Sequence, residues 1–410
     1  MLRLAPLIPA ACLLLLPAPA RTAPADSNTC VDCHGDVLAE AGPDVHRAAG
    51  LTCVNCHQGD PSVEDQDKAM DPRKGFVGKP KGWAAARLCG SCHADIDRMR
   101  VINPRLPTDQ LAQYRTSEHG KRALEGDQRV ATCVSCHGAH GIRLVSDPGS
   151  PASKGRIVET CAGCHNSAYM RGRSIPTDQL AKYKLSVHGQ KRLTQRDPGA
   201  PACSDCHDNH GAAPPGVSAV THVCGKCHVT QAELFVASSH AAHFREADVP
   251  PCTSCHNHHD IVATSDDMLG TTPPGTCSSC HEPGDPCDRA TVAMKRSLTA
   301  LTGAIDEART SLDRADRLGM DVERATYDLG AAAESVVRAR VVVHTFSEKA
   351  FEKVIAEGRE IASEVNKAAR AKLAEHRYRR QGLAIASALL LLFAGLLALK
   401  ARRLEKDRGA

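Results

Sequence analysis

The sequence predicts a mainly α-helical chain with extensive irregular loops: a motif-dense N-terminal domain, a helical bundle or stalk, and a C-terminal transmembrane helix. Three observations predict it. The 410 residues include 20 Cys and 21 His but only 3% aromatic residues, too few rings for a conventional core of this length. From Asp288 onward Cys and Pro give way to Ala, Glu, Arg and Leu at helical spacing. Leu383 to Leu399 then runs without a charge. A net charge of +4, from 51 basic and 47 acidic residues, does not suit a polyanionic partner, so no nucleic acid is expected.

Residues 1–25 read as a signal peptide. Arg3 is the basic region, Ala10 to Leu16 the apolar one, and Ala18-Pro19-Ala20 and Ala23-Pro24-Ala25 are small-residue cleavage patterns, of which the second is preferred. Lipid attachment at Cys12 does not fit, because the apolar run continues past that residue. The closely spaced prolines disfavour a buried helix.

The domain over 26–287 repeats Cys-x-x-Cys-His nine times. The copies are Cys30, Cys33 and His34; Cys53, Cys56 and His57; Cys89, Cys92 and His93; Cys133, Cys136 and His137; Cys161, Cys164 and His165; Cys203, Cys206 and His207; Cys224, Cys227 and His228; Cys252, Cys255 and His256; and Cys277, Cys280 and His281. Two thiols at this spacing reach both vinyl groups of one haem, and the adjacent His reaches the iron as proximal ligand. Zinc knuckles and disulfide frameworks also use Cys-x-x-Cys, but neither requires a His after every pair. Nine covalently attached haem c groups are therefore expected, one per roughly 29 residues, with porphyrin replacing much of an apolar core. Such a domain consists of short helices joined by Gly- and Pro-rich loops and needs its haem to fold. Without the leader the net charge falls, and two propionates per haem make the holoprotein acidic.

Ten further histidines lie between the first motif and Cys287, close to the nine that a second axial ligand on every iron requires. A repeat orders them. Pro107-Thr-Asp-Gln-Leu-Ala-Gln-Tyr114-Arg-Thr-Ser117-Glu-His119-Gly120 recurs as Pro176-Thr-Asp-Gln-Leu-Ala-Lys-Tyr183-Lys-Leu-Ser186-Val-His188-Gly189. Each copy leads to a motif trailed by another His, as in His137/His140 and His207/His210. A degenerate third copy runs from Ser239-His240 to His256/His259, and a shortened one over Cys30–His57 has His46 mid-way but Asp60 in the trailing place. The distal candidates are His46, His119, His140, His188, His210, His240 and His259. The remaining irons draw on His222, His243 or His258, or on His344 in the C-terminal part. Met70, Met99, Met170 and Met268 do not repeat in register.

Residues 288–380 read as a helical stalk. Leu298, Leu301, Ile305, Ala308, Leu312 and Ala315 mark a first amphipathic helix that stops at Leu318-Gly319, with Asp321 capping the next. Val322, Ala325, Leu329, Ala332, Val336 and Ala339 mark a second. A third begins near Ser347 and runs into the membrane. Three such faces imply a bundle against itself, the haem domain or a second subunit, so an oligomer through the stalk is one expectation. Residues 381–400 form the transmembrane helix and 401–410 a short basic cytoplasmic tail with Lys400, Arg402, Arg403, Lys406 and Arg408 at the boundary. The expected location is the inner membrane, with a single C-terminal span and the haem domain in the periplasm.

Over Cys30 to His281 the chain resembles multihaem c-type cytochromes of the cytochrome c3-like and doubled-CXXCH kind, typified by Ser-x-His-Gly followed by Cys-x-x-Cys-His-Gly-x-His from Ser117 to His140. The resemblance implies a periplasmic electron carrier whose partners are membrane quinol-oxidising or other redox proteins. Tethered tetrahaem quinol dehydrogenases of this kind carry an N-terminal anchor; here the anchor is C-terminal.

Electron transfer is the first functional expectation, because His-saturated iron leaves no position for a substrate. The rival is a multihaem oxidoreductase of nitrite, hydroxylamine or tetrathionate type with one five-coordinate haem. No motif His is replaced by Lys, as the nitrite-reducing family often has it. No spacing singles out Tyr114, Tyr169, Tyr183 or Tyr327 for a cross-link to haem. The first two haems, short of a local His, are where an open iron is expected. A third reading is a haem scaffold whose stalk docks a partner, with Cys287 at that interface or buried.

Overall fold

The computed structural model describes residues 29–408, so the signal peptide over 1–25 lies outside the described residues. Helices and irregular loops build the chain, and no strand occurs among the described residues. Two compact units are present: Met1–Leu180 with Asp197–Pro214, and Ala181–Arg196 with Pro215–Ala410. The first carries motifs one to six. The second carries motifs seven to nine together with the C-terminal helices.

In the first unit the side-chain core is small: Ala86, Tyr114 and Ala123, with Trp83, Leu111, Val130 and Cys133 against them. Trp83 stacks on Tyr114 at 6.4 Å, and the Tyr114 hydroxyl donates to Ala131 O at 2.8 Å. This cluster ties the helix Gly82–His93, which ends in the third motif, to the first repeat segment. Its small size agrees with an interior that side chains alone do not fill.

The second unit has a conventional core in its three long helices. Helix α1 (Pro286–Arg317) starts with Asp285 accepting from Asp288 N and with Pro286 in the first turn, where its missing N–H costs nothing. It stops before Gly319, whose φ of +71° suits glycine. Helix α2 (Glu323–Val342) follows, and Asp321 accepts from Glu323 N at 3.3 Å. Helix α3 (Glu348–Arg408) is continuous for 61 residues, about 90 Å at the α-helical rise. Leu298, Leu301, Ile305 and Leu312 of α1, Leu329 and Ala332 of α2, and Phe351, Ile355 and Val365 of α3 form one buried cluster. Each fully buried Leu, Ile or Phe there contributes roughly 1.5–3 kcal/mol. Past residue 380 the apolar side chains of α3 face outward, with Leu391 75% exposed, and this stretch is long and apolar enough to cross a membrane.

Candidate haem array

Each even-numbered motif folds the same way in the first unit. Cys53–His57, Cys133–His137 and Cys203–His207 are five-residue helices. The residue before the second cysteine turns back to cap the start: Thr52 N donates to Asn55 Oδ1, Thr132 N to Ser135 Oγ and Ala202 N to Asp205 Oδ2, at 2.7–3.0 Å. The residue after the motif His then takes a positive φ, at Gln58 (58°), Gly138 (86°) and Asp208 (61°), and Asn257 (60°) repeats this in the second unit. That reversal sends the chain away from the helix toward the trailing position, a histidine after the fourth, sixth and eighth motifs and Asp60 after the second. Odd motifs three and five instead close longer helices, Gly82–His93 and Ile157–His165.

The mid-way histidines are held by a second local device. Ser117 caps the helix Glu118–Leu124; its Oγ donates to Tyr114 O at 2.6 Å and accepts from Gly120 N at 2.9 Å. Ser186 does the same with Tyr183 O at 2.7 Å and Gly189 N at 2.9 Å. A Cβ on Gly120 would lie 1.7 Å from Tyr114 O, and one on Gly189 1.8 Å from Tyr183 O, so both positions require glycine. The third copy aligns on Ser238, whose hydroxyl donates to Phe235 O at 2.6 Å, and not on Ser239 as the sequence suggested. The chain adds a tertiary latch. Val45 N donates to Ile142 O at 2.8 Å, Glu118 N to Ala212 O at 3.2 Å and Val187 N to Ile261 O at 2.9 Å. Each acceptor lies two residues beyond His140, His210 or His259, so a mid-way His and a trailing His share one backbone lock.

Seven histidine pairs then face each other. In the first unit the ring centroids are 5.9 Å apart for His46 and His93, 6.0 Å for His57 and His140, 6.1 Å for His119 and His165, and 6.2 Å for His137 and His210. In the second unit they are 6.2 Å apart for His188 and His228, 6.2 Å for His240 and His281, and 6.1 Å for His256 and His344. Two imidazoles bound to one metal at roughly 2 Å per bond have ring centres about 6 Å apart, so the rings fit an axial pair. A rule of register connects them. Mid-way histidines face the motif after the next one, and His140 and His210 face the motif two before the one they trail.

The electrostatics suit ligation by neutral imidazole. Burial first, and then the facing ring, holds His93, His119, His137, His188, His240 and His256 below the ordinary histidine range. The Nδ1–H of His57 donates to Gly78 O at 2.8 Å and that of His344 to Val341 O at 2.9 Å, which turns Nε2 toward the facing ring. A cleft of about 330 Å³ opens beside Cys255 and His256, lined also by Val262, Met268 and Pro274. Within each unit motifs adjoin in sequence order, from the second to the sixth in the first unit and from the seventh to the ninth in the second. The thiol of Cys89 neighbours that of Cys133, Cys161 neighbours Cys203, and Cys224 neighbours Cys252. Between these pairs the second cysteines adjoin: burial and then Cys92 push the Cys56 thiol up, Cys164 adds to the rise at Cys136, and Cys277 to that at Cys255.

Other residues stand apart from this pattern. Among the described residues no second imidazole faces His34, which lies at a kink inside the helix Cys30–Ala41. The structure does not bring His222, His243 or His258 to a motif histidine; all three are exposed, and His258 rests on His259 at 4.7 Å. His344 instead faces His256. His344 lies in the turn between α2 and α3, where no repeat marks it. Phe346 of the same turn stacks on His240 at 3.8 Å, a contact that the sequence did not signal. Met99 and Met170 are buried, and Cys287 packs against Cys277.

Known proteins match the same segments. The cytochrome c3 family model matches residues 45–166 and the doubled CXXCH motif model residues 242–285. The chain is 27% identical over 222 residues to the multiheme cytochrome MtrA of Shewanella baltica, covering 50% of this chain and 53% of that protein. It is 23% identical over 350 residues to the high-molecular-weight cytochrome c of Nitratidesulfovibrio vulgaris, covering 75% of this chain and 59% of that protein. These matches support a multihaem c-type cytochrome that binds haem c covalently and transfers electrons. The chain spans a little over half the length of either relative. No solved structure matches it significantly.

Proposed function

We propose that the chain is a nonahaem electron conduit anchored in the inner membrane by α3, with its haem domain in the periplasm. It carries electrons between a quinol-linked membrane donor and periplasmic or outer-membrane acceptors. The observation that carries this reading is the set of seven facing histidine pairs, four in the first unit and three in the second. At these seven sites the paired imidazoles would hold a haem iron from both sides and leave no position for substrate, and adjoining motifs within a unit would make short steps between centres. When bound, the haems supply one-electron Fe(III)/Fe(II) chemistry. The protein supplies the imidazole pairs and the order of the sites within each unit. His259 keeps its proposed ligand role from the repeat. The latches at Val45, Glu118 and Val187 hold the pairs rigid, which keeps reorganisation small during transfer.

One observation favours a second reading. His34 has no facing ring among the described residues, so the first site is the place for the five-coordinate haem of an oxidoreductase. Low-temperature EPR of the oxidised holoprotein, with haem counted as the pyridine haemochrome, decides between them. Nine haems, all low-spin, support the conduit. A high-spin signal equal to one haem, lost in Cys30→Ala/Cys33→Ala, supports the enzyme. Membrane fractionation of the full chain against one ending at residue 380 tests the anchor.

A further inference from the structure

The ninth site differs from the second and sixth in what its motif histidine bonds. The Nδ1–H of His57 is given to a backbone carbonyl, and His207 Nδ1 lies 3.2 Å from Ala213 O. His281 Nδ1 instead lies 2.9 Å from Asp285 Oδ2, both side chains being about a third exposed. The other oxygen of the same carboxylate, Oδ1, accepts from Asp288 N at 2.7 Å and caps α1. One side chain therefore binds the motif histidine and starts the stalk helix. Across the site, His240 is stacked on Phe346 from the turn between α2 and α3. At His46 the nearest carboxylate oxygen, Asp44 Oδ1, is 3.8 Å from Nδ1, beyond hydrogen-bond reach.

We propose that Asp285 is a positioning residue that lowers the reduction potential of the ninth haem below that of haems whose proximal histidine bonds a carbonyl. The inference rests on a haem at the ninth motif and deepens the conduit reading. An imidazole whose Nδ1–H is donated to a carboxylate has imidazolate character and is a more basic ligand. A more basic ligand favours ferric over ferrous iron, and the fixed negative charge beside it acts in the same direction. The hydrogen bond also fixes the tautomer, leaving Nε2 for the iron. The capping bond locks the Asp285 rotamer, so the carboxylate is held in place before the site is assembled. The low-potential end of this unit then lies where the stalk begins, which suits entry of electrons from a low-potential donor at that end.

The test is an EPR-monitored redox titration of the full-length holoprotein, comparing wild type with Asp285→Asn and Asp288→Asn. Asparagine caps a helix as well as aspartate does, so Asp285→Asn removes the charge and keeps the stalk. Asp288 bonds Thr271 Oγ1 and Gly284 N and not His281, so its variant controls for charge nearby. The expected result is one haem of Asp285→Asn shifted upward by about tenfold in its ferrous-to-ferric ratio, ~59 mV for a one-electron couple. Helix content and haem count stay unchanged, and Asp288→Asn titrates as wild type. An unmoved titration in Asp285→Asn, or an equal shift in Asp288→Asn, overturns the proposal. The mass of Cys277→Ala/Cys280→Ala separates the two levels of the argument. One haem fewer with an unmoved Asp285→Asn overturns the role of Asp285 alone, and an unchanged haem mass removes the ninth haem and the proposal with it.

Discussion

His344 stands across from His256 with ring centroids 6.1 Å apart and planes 21° from parallel. The turn that joins two stalk helices thus reaches into the eighth site, and two residues of that turn, His344 and Phe346, bring a ring to each of two sites. The stalk is part of the array and more than a spacer. His344→Ala leaves one iron without its second imidazole. The expected outcome is one haem converted to high spin by EPR, with nine haems still attached by mass. A spectrum that remains as in the wild type removes His344 from the ligand set.

Gly120 and Gly189 are the tightest local test of the mid-way histidines. A methyl group at either must displace a tyrosine carbonyl less than 2 Å away. Gly120→Ala or Gly189→Ala should cost about 1–3 kcal/mol and tilt His119 or His188 off its partner. Thermal melting reads the first effect and the low-spin EPR amplitude the second. Alanine is already present at the matching position of the third copy, Ala241, so Ala241→Gly should have no such effect on His240.

Gln58 holds φ +58° and ψ −149° directly after the second motif, a conformation that glycine adopts freely at Gly138. A non-glycine residue there costs on the order of 1–3 kcal/mol. Gln58→Gly should therefore raise the melting temperature of the holoprotein. An unchanged or lower midpoint would show that the Gln58 side chain offsets the strain.

Carbon monoxide separates the two readings at the first motif, where no imidazole faces His34 among the described residues. On the conduit reading the reduced holoprotein takes up none. Uptake of one per chain, abolished in Cys30→Ala/Cys33→Ala, contradicts the conduit and supports a five-coordinate first haem.

Asp127 gives an acid-side prediction away from the axial ligands. The Arg129 backbone N–H, with further help from Arg173, holds its carboxyl below the ordinary value of 3.8. A folded-state value below the unfolded one adds stability above about pH 4, which disappears as the pH falls through the folded value. Asp127→Asn should lose stability at neutral pH and show a shallower decline below pH 4 than the wild type in denaturant titrations. Parallel acid limbs would contradict it.

How much of this was legible before the structure depends on distance along the chain. The nine motifs are local: five residues on one helical turn carry both thiols and the proximal His, so spacing alone identifies them. The stalk helices were readable from apolar spacing, and the buried faces of α1 and α2 match it. The repeat also brought out His119 and His188, because Ser, His and Gly act within four consecutive residues.

What only the tertiary structure decided is which histidine meets which motif. The latch from Val45 to Ile142 joins residues 97 positions apart, and nothing in either segment names the other. His344 carries no repeat signature, since its place comes from the packing of α2 and α3 and not from its neighbours in sequence. His222, His243 and His258 looked equivalent to it as residues and proved exposed. Covalent attachment needs only local spacing, whereas an axial pair needs two backbones held about 6 Å apart between ring centres, and long-range packing alone sets that distance.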